Sequence, residues 1–316
     1  MTVVAGHIGY DGMDATENAR TAPPMTALAS AARWLAGRYH VILFQRALGR
    51  TFEIMRYALI RSRLTTRFHI VSSERGAGEF AIRCLESVDC QNYPKDLVRH
   101  IFIDDASPDN TPEIVERWLE NNPLHRVEFI HNLHRRRAFE NNLIGFRMAR
   151  PGDIVLELNG DDWLPDAGVL RFFDKVYADP DVWITFNTLR QADGTLTIAS
   201  GPPRRVIEEG GIRSWRWCTS HLHTFRHELF ALIGDEVFRN PKTGGYWETA
   251  HDQATYLPMI EFAGRHARHI HRVTYVYNFH SMSDEMVDGS GQQAAAAAIR
   301  ELPVHEPVDN LDRGRP

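Results

Sequence analysis

Cysteine is scarce in this chain of 316 residues: Cys84, Cys90 and Cys218 are all there are. An odd count with no C-x-x-C pair excludes a disulfide framework and a cysteine zinc finger. The three read as small buried hydrophobes in a reducing compartment. The opening "MTVVAGHIGYDGMD" has no basic stretch followed by an apolar core, so it is not read as a secretory signal. No uncharged apolar run approaches the ~20 residues that span a bilayer. The location expected is therefore cytoplasmic. A net charge of −5 leaves no global excess of positive charge for nucleic acid.

What is present is unevenly distributed. Residues 1–24 are polar and end at Pro23-Pro24. From 25 to 66 apolar residues recur at three- and four-residue spacing (Leu28, Ala32, Leu35, Tyr39, then Phe44, Leu48, Phe52, Met55, Leu59), with arginines between them. This predicts an N-terminal helical extension over 1–66, mostly helical from 25. It either caps the main domain, forms a dimer, or lies peripherally on an anionic membrane.

From Phe68 the rhythm alternates. "FHIVSS", "RHIFIDD", "VEFIHN", "DIVLEL" and "DVWITFNT" read as strands, with helical patterns between them. Thr111 before Pro112 reads as a helix N-cap. Such alternation predicts an α/β fold, a mostly parallel central sheet with helices on both faces. Ligands bind such sheets at the carboxyl ends of the strands. Polar clusters fall there: Ser72-Ser73-Glu74, Asp104-Asp105, His131-Asn132, and Asn159 to Asp162. Beyond residue 187 come a hairpin over "RQADGTLTIAS", an aromatic and His-rich stretch, a helix over "HDQATYLPMIEFAG" and a closing strand, "RVTYVYNFH". A terminal helix over "QQAAAAAIRELP" and a disordered tail are expected after that.

The order of motifs over residues 68–283 resembles the family-2 glycosyltransferases of the GT-A fold. "ESVDCQNYP" at 86–94 matches the family's Ser-x-x-x-Gln-x-Tyr-Pro. "FIDDASPDNT" at 102–111 matches its Asp-Asp-x-Ser strand end, and "LNGDD" at 158–162 its D-x-D region. The helix opening at Asp252 matches its later acid-Asp pair. "SHLHTFRHELF" and "TYVYNFHSMSD" are similar to its acceptor side. Two departures stand out: Asn159 replaces a usual Asp, and His251 a usual acid.

The resemblance implies a GT-A domain over 67–288, with a nucleotide-binding half at 67–187, an acceptor half at 188–288, and a C-terminal tail at 289–316. It implies sugar transfer from a nucleotide-sugar, most often UDP-linked, with inversion. Mn²⁺ or Mg²⁺ on oxygen ligands would neutralise the diphosphate leaving group. Asp161 and Asp162 would carry the metal, with His280 as a late ligand. Asp161 would also support the nucleotide with Ser72, Ser73, Asp104, Asp105 and Arg137. Asp252 would be the general base, with Glu248 as runner-up. Trp217, His221 and His223 would face the acceptor: a glycan, lipid, protein or modified nucleic acid. Asn141 or Asn142 would support the site. His221 and His223, two apart, suit strand-borne zinc ligands, yet no Glu or Cys completes a set at known spacing.

Two rival readings remain. A sugar-phosphate nucleotidyltransferase needs a Gly-rich, Arg-bearing loop after the first strand, faintly echoed in "SSERGAGEF". An inactive scaffold on the same fold would explain Asn159 and His251.

Overall fold

The structure is a computed structural model that describes residues 64–122, 126–197, 201–219, 221–279 and 289–311. These belong to one compact unit, Ile60–Pro316. The readings placed on residues 1–63 and on His280 lie outside the described residues.

The predicted alternation is realised. β1 (Arg67–Glu74) leads to α1 (Glu79–Asp89), β2 (Val98–Asp104) to α2 (Thr111–Asn121), β3 (Val127–His131) to α3 (Arg137–Arg147), and β4 (Asp153–Glu157) to α4 (Val169–Tyr177). β5 (Ile184–Gln191) turns through Asp193-Gly194 into the short β6 (Leu196–Thr197), and α5 (Arg204–Glu208) follows. Then come β7 (His223–Arg226), α6 (His227–Ala231), α7 (His251–Ala263), β8 (Ala267–Tyr277) and α8 (Gly289–Arg300). Thr111 is the first helical residue of α2 rather than its cap, which is Asn110. Its hydroxyl instead donates to Asp109 and accepts from the Gly78 amide.

The strand order is β3-β2-β1-β4-β7-β5-β6, with β8 on β5, giving an eight-stranded sheet among the described residues. β1 pairs parallel with β2 and β4, and β5 pairs parallel with β8. β7 runs antiparallel between β4 and β5, and the short β6 pairs antiparallel with β5. Alternation along β1 separates two cores. Phe68 and Ile70 pack with Ala81, Cys84 and Leu85 of α1, while Val71 packs with Phe139, Leu143 and Phe146 of α3. Gly145 permits that second contact. A Cβ there would lie 2.3 Å from Val71 Cγ1.

The expected disordered tail is corrected as far as residue 311. Leu302, Val308 and Leu311 pack against the α7 side of the core, and the Val308 amide bonds Phe262 O at 3.0 Å. The side chains of Arg213 (5% exposed) and Glu261 (1%) form a buried two-pronged ion pair at 2.6 and 2.9 Å. Arg213 Nη1 also bonds Ile299 O, and Arg300 bonds back to Arg213 O. Polar contacts thus tie the C-terminal segment down, which the composition of "VHEPVDNLDRGRP" does not reveal.

Candidate active site

The carboxyl ends of β1, β2 and β4 place four acids together. Register puts Glu74 beside Asp104, and the turn after β4 carries Asn159, Gly160, Asp161 and Asp162. Gly160 matters by its absence of a side chain, since a Cβ would sit 2.6 Å from Glu74 Cβ and 3.1 Å from Phe102 Cζ. The turn therefore passes directly over Glu74, and the carboxyls of Glu74 and Asp161 share a hydrogen bond.

Asp162 is fully buried. Its Oδ1 accepts from the Asn278 amide at 2.6 Å, and its Oδ2 from the Tyr275 hydroxyl at 2.5 Å and Asn159 Nδ2 at 3.3 Å. The backbone of Trp163 bridges to Val276 of β8, which brings these partners into place. Burial, then the charge of Asp161, pushes the Asp162 carboxyl well above the carboxylate range. Burial and Asp161 raise Glu74 likewise. Neighbouring carboxyls that hold protons against each other are what a divalent cation relieves. The all-oxygen donor set of Glu74, Asp161 and Asp162 fits Mn²⁺ or Mg²⁺. Three of the hydrogen-bonding sites on Asp162 are already taken, so Asp161 and Glu74 would be the more accessible donors to such a cation.

These shifts set a sign for stability. Both carboxyls bind protons more tightly in the fold than in the unfolded chain, where carboxylates titrate near ~4. Their contribution is therefore complete below that range and is lost as pH rises through the elevated folded values. In chelator, Asp161→Asn should flatten this decline and raise the melting temperature at neutral pH. Thermal melts across pH check it, and an unchanged slope would contradict the electrostatic account.

The other predicted residues are placed differently from one another. Asp104 is buried and holds the Ser107 amide (3.1 Å) and hydroxyl, with His131 Nε2 at 3.6 Å. Asp105 accepts the amides of Arg136 (2.7 Å) and Arg137 (2.8 Å). Burial would raise its carboxyl, but these amides, Asn141 and Asn132 together outweigh that and hold it low. So Asp105 shapes the loop after β3, in which Arg137 takes φ 73 without a glycine. The Arg137 guanidinium pairs with Glu248 at 2.9 Å, with both side chains largely exposed. Ser72 and Ser73 lie buried beneath the strand end. Ser72 Oγ bonds His100 Nε2 at 2.9 Å and Ser73 Oγ donates to Asn142 at 2.7 Å. The expectation that both line the pocket does not match this placement, whereas Glu74, one residue on, reaches the acids. Its signal was the third polar residue of the strand-end cluster.

Asn141 and Asn142 now separate. Asn141 accepts from Asn132 on the Asp105 side, and Asn142 bonds Glu157 and Ser73. Asp252 sits in the first turn of α7, half-buried, its Oδ1 accepting the Gln253 amide at 2.8 Å. Arg300 lies close enough to feel the charge of Asp252. Trp217 packs on the core and His221 is half-buried. His223 is fully buried and stacks on Tyr256, with ring centroids 3.6 Å apart, so it does not present a surface to an acceptor. Burial, then the neighbouring His221 and His251, holds its pKa well below the ordinary value.

The sequence profile described as "Glycosyl transferase family 2" matches residues 74–238, over half of the chain. The chain belongs to the family-2 glycosyltransferases. Solved structures share the fold of this glycosyltransferase at low identity. S. aureus TarS 1–349 in complex with UDP-GlcNAc is 14% identical with a TM-score of 0.54, covering 76% of this chain and 68% of that one. Mannosyltransferase PcManGT from Pyrobaculum calidifontis, in complex with GDP-Man and Mn²⁺, is 20% identical with a TM-score of 0.51, covering 80% and 73%. No curated protein sequence matches the transferase. Among the described residues, no helix is long and apolar enough to cross a membrane.

Proposed function

We propose that the transferase moves a sugar from a nucleoside-diphosphate donor, UDP-linked, to an acceptor hydroxyl with inversion. The observation that carries this reading is the cluster of Glu74, Asp161 and Asp162 at the ends of β1 and β4, whose mutual repulsion a diphosphate-bound cation would relieve. A bound Mn²⁺ or Mg²⁺ would supply charge neutralisation for the departing diphosphate. Asp161 and Glu74 are its proposed ligands, with Asp162 behind them. Asp104 and Asp105, at the end of β2, face the base and ribose in this reading. Asp252 accepts the proton of the acceptor hydroxyl as its oxygen bonds the anomeric carbon and the bond to the diphosphate breaks.

Arg75, the residue that echoed a nucleotidyltransferase loop, supports a different role. Its Nη1 donates to the carbonyls of Asp105 (2.9 Å) and Ala106. It braces the β2 turn, so the nucleotidyltransferase reading is not favoured. The test is product analysis on UDP-GlcNAc, UDP-Glc and GDP-Man with Mn²⁺, using slow transfer to water where no acceptor is known. Release of the nucleoside diphosphate, with the UDP-sugars ahead, is expected. Pyrophosphate release, or no turnover on any donor, would overturn the reading.

A further inference from the structure

Behind the strand-end acids lies a second group of ligating side chains with a different composition. Glu157 of β4 and His223 of β7 are direct cross-strand partners, so their side chains emerge on the same face of the sheet. His221 lies two residues before β7, and its ring packs edge-on against that of His223, with centroids 5.3 Å apart. One ligand atom from each of Glu157, His221 and His223 lies within 4.8 Å of the others. His223 Nδ1 and Glu157 Oε2 are 3.8 Å apart. That is close to the ~3.3 Å edge of a tetrahedron built on ~2.0 Å metal bonds.

The polar bookkeeping points to a ligand here. Both ring nitrogens of His223 and Nδ1 of His221 are buried without a hydrogen-bond partner, and His223 has no exposed surface at all. Buried, unpaired polar atoms call for an occupant, whether water or ion. Glu157 is already oriented, because the Tyr256 hydroxyl donates to its Oε2 and Asn142 Nδ2 to its Oε1. Such outer partners fix a ligating carboxylate. Two imidazoles and one carboxylate, with a half-buried His221 on the open side, match a zinc-type set that keeps one position free.

We propose that Glu157, His221 and His223 form a cation site for a zinc-class transition metal. It is distinct from the oxygen-only cluster at Glu74, Asp161 and Asp162, because imidazole nitrogen favours zinc over magnesium or manganese. The site joins the two halves of the enzyme. His221 stacks on Tyr275, with centroids 5.1 Å apart, and Tyr275 holds Asp162. Tyr256, bonded to Glu157, lies one helical turn beyond Asp252 on α7.

The test is titration of chelator-stripped full-length protein with Zn²⁺ against a competing indicator, and separately with Co²⁺ read by its visible ligand-field absorption. Wild type and Asp161→Asn should each bind one Zn²⁺ with equal affinity and give the same nitrogen-oxygen Co²⁺ spectrum. His223→Gln removes a ligand, so it should weaken binding by at least the ~100-fold upper range for losing an outer-shell partner, and lose that spectrum. His221→Gln, at a half-buried position where folding is less at risk, should do the same. Equal Zn²⁺ binding by wild type and His221→Gln would assign the metal to other histidines and overturn the proposal. So would loss of binding in Asp161→Asn, or failure of wild type to bind.

Discussion

Asp252→Asn is expected to lower the rate constant for sugar transfer by about 10²–10⁴-fold, the usual contribution of a positioned general base. Donor affinity should stay within a few-fold of wild type. The substitution keeps the shape of the side chain and its hydrogen bond to the Gln253 amide, which Oδ1 accepts at 2.8 Å. It removes only the capacity to take a proton. The placement supports this division: Asp252 lies in the first turn of α7, on a different element from the acids at the ends of β1 and β4. Glu248 provides an internal comparison. Its side chain is 69% exposed and paired with Arg137, so Glu248→Gln should leave the rate within a few-fold. Steady-state kinetics with separate donor titration reads both variants. Transfer by Asp252→Asn at the wild-type rate, or a loss in Glu248→Gln instead, would move the base elsewhere.

Glu261→Gln should cost about 3–5 kcal/mol of stability, because it strands the buried Arg213 without its counter-charge. Both members are almost wholly buried, and the guanidinium meets both carboxylate oxygens. The same carboxylate accepts the His305 amide at 3.2 Å, and Arg213 holds Ile299 O. Loss of the charge therefore loosens α7, the turn before β7 and the C-terminal segment together. Equilibrium denaturation of the full chain measures it. A change below about 1 kcal/mol, the size of a surface pair, would show that the pair contributes little despite its burial.

The strands and helices from β1 to β5, the helix opening at Asp252 and the acids at the strand ends could be read from residue order alone, because their signals are local, whereas β7 and the short helices around it could not. Apolar runs of strand length end in Asp, Ser or Asn, and Asp252 opens a helix. What could not be read comes from contacts between distant segments. Nothing in "HLHTFRHELF" says that β7 inserts antiparallel beside β4, and only that insertion brings Glu157 to His223. The absence of a third ligand at sequence spacing was therefore no guide to the cluster at Glu157. Ser72 and Ser73 share the polarity of Glu74, but the pleat and the depth of the strand turn them into buried hydrogen bonds. The C-terminal segment looked disordered because its anchoring depends on Arg213 and Glu261, 48 residues apart.

Glu74, Asp161 and Asp162 are proposed to form a cation-dependent diphosphate platform. Calorimetric titration of UDP, with GDP as control, in the presence and absence of Mn²⁺ tests it on wild type, Asp161→Asn and Asp252→Asn. UDP should bind more tightly with Mn²⁺ to wild type and to Asp252→Asn, and should lose that dependence in Asp161→Asn. UDP binding indifferent to both Mn²⁺ and Asp161, or no binding at all, would contradict the account.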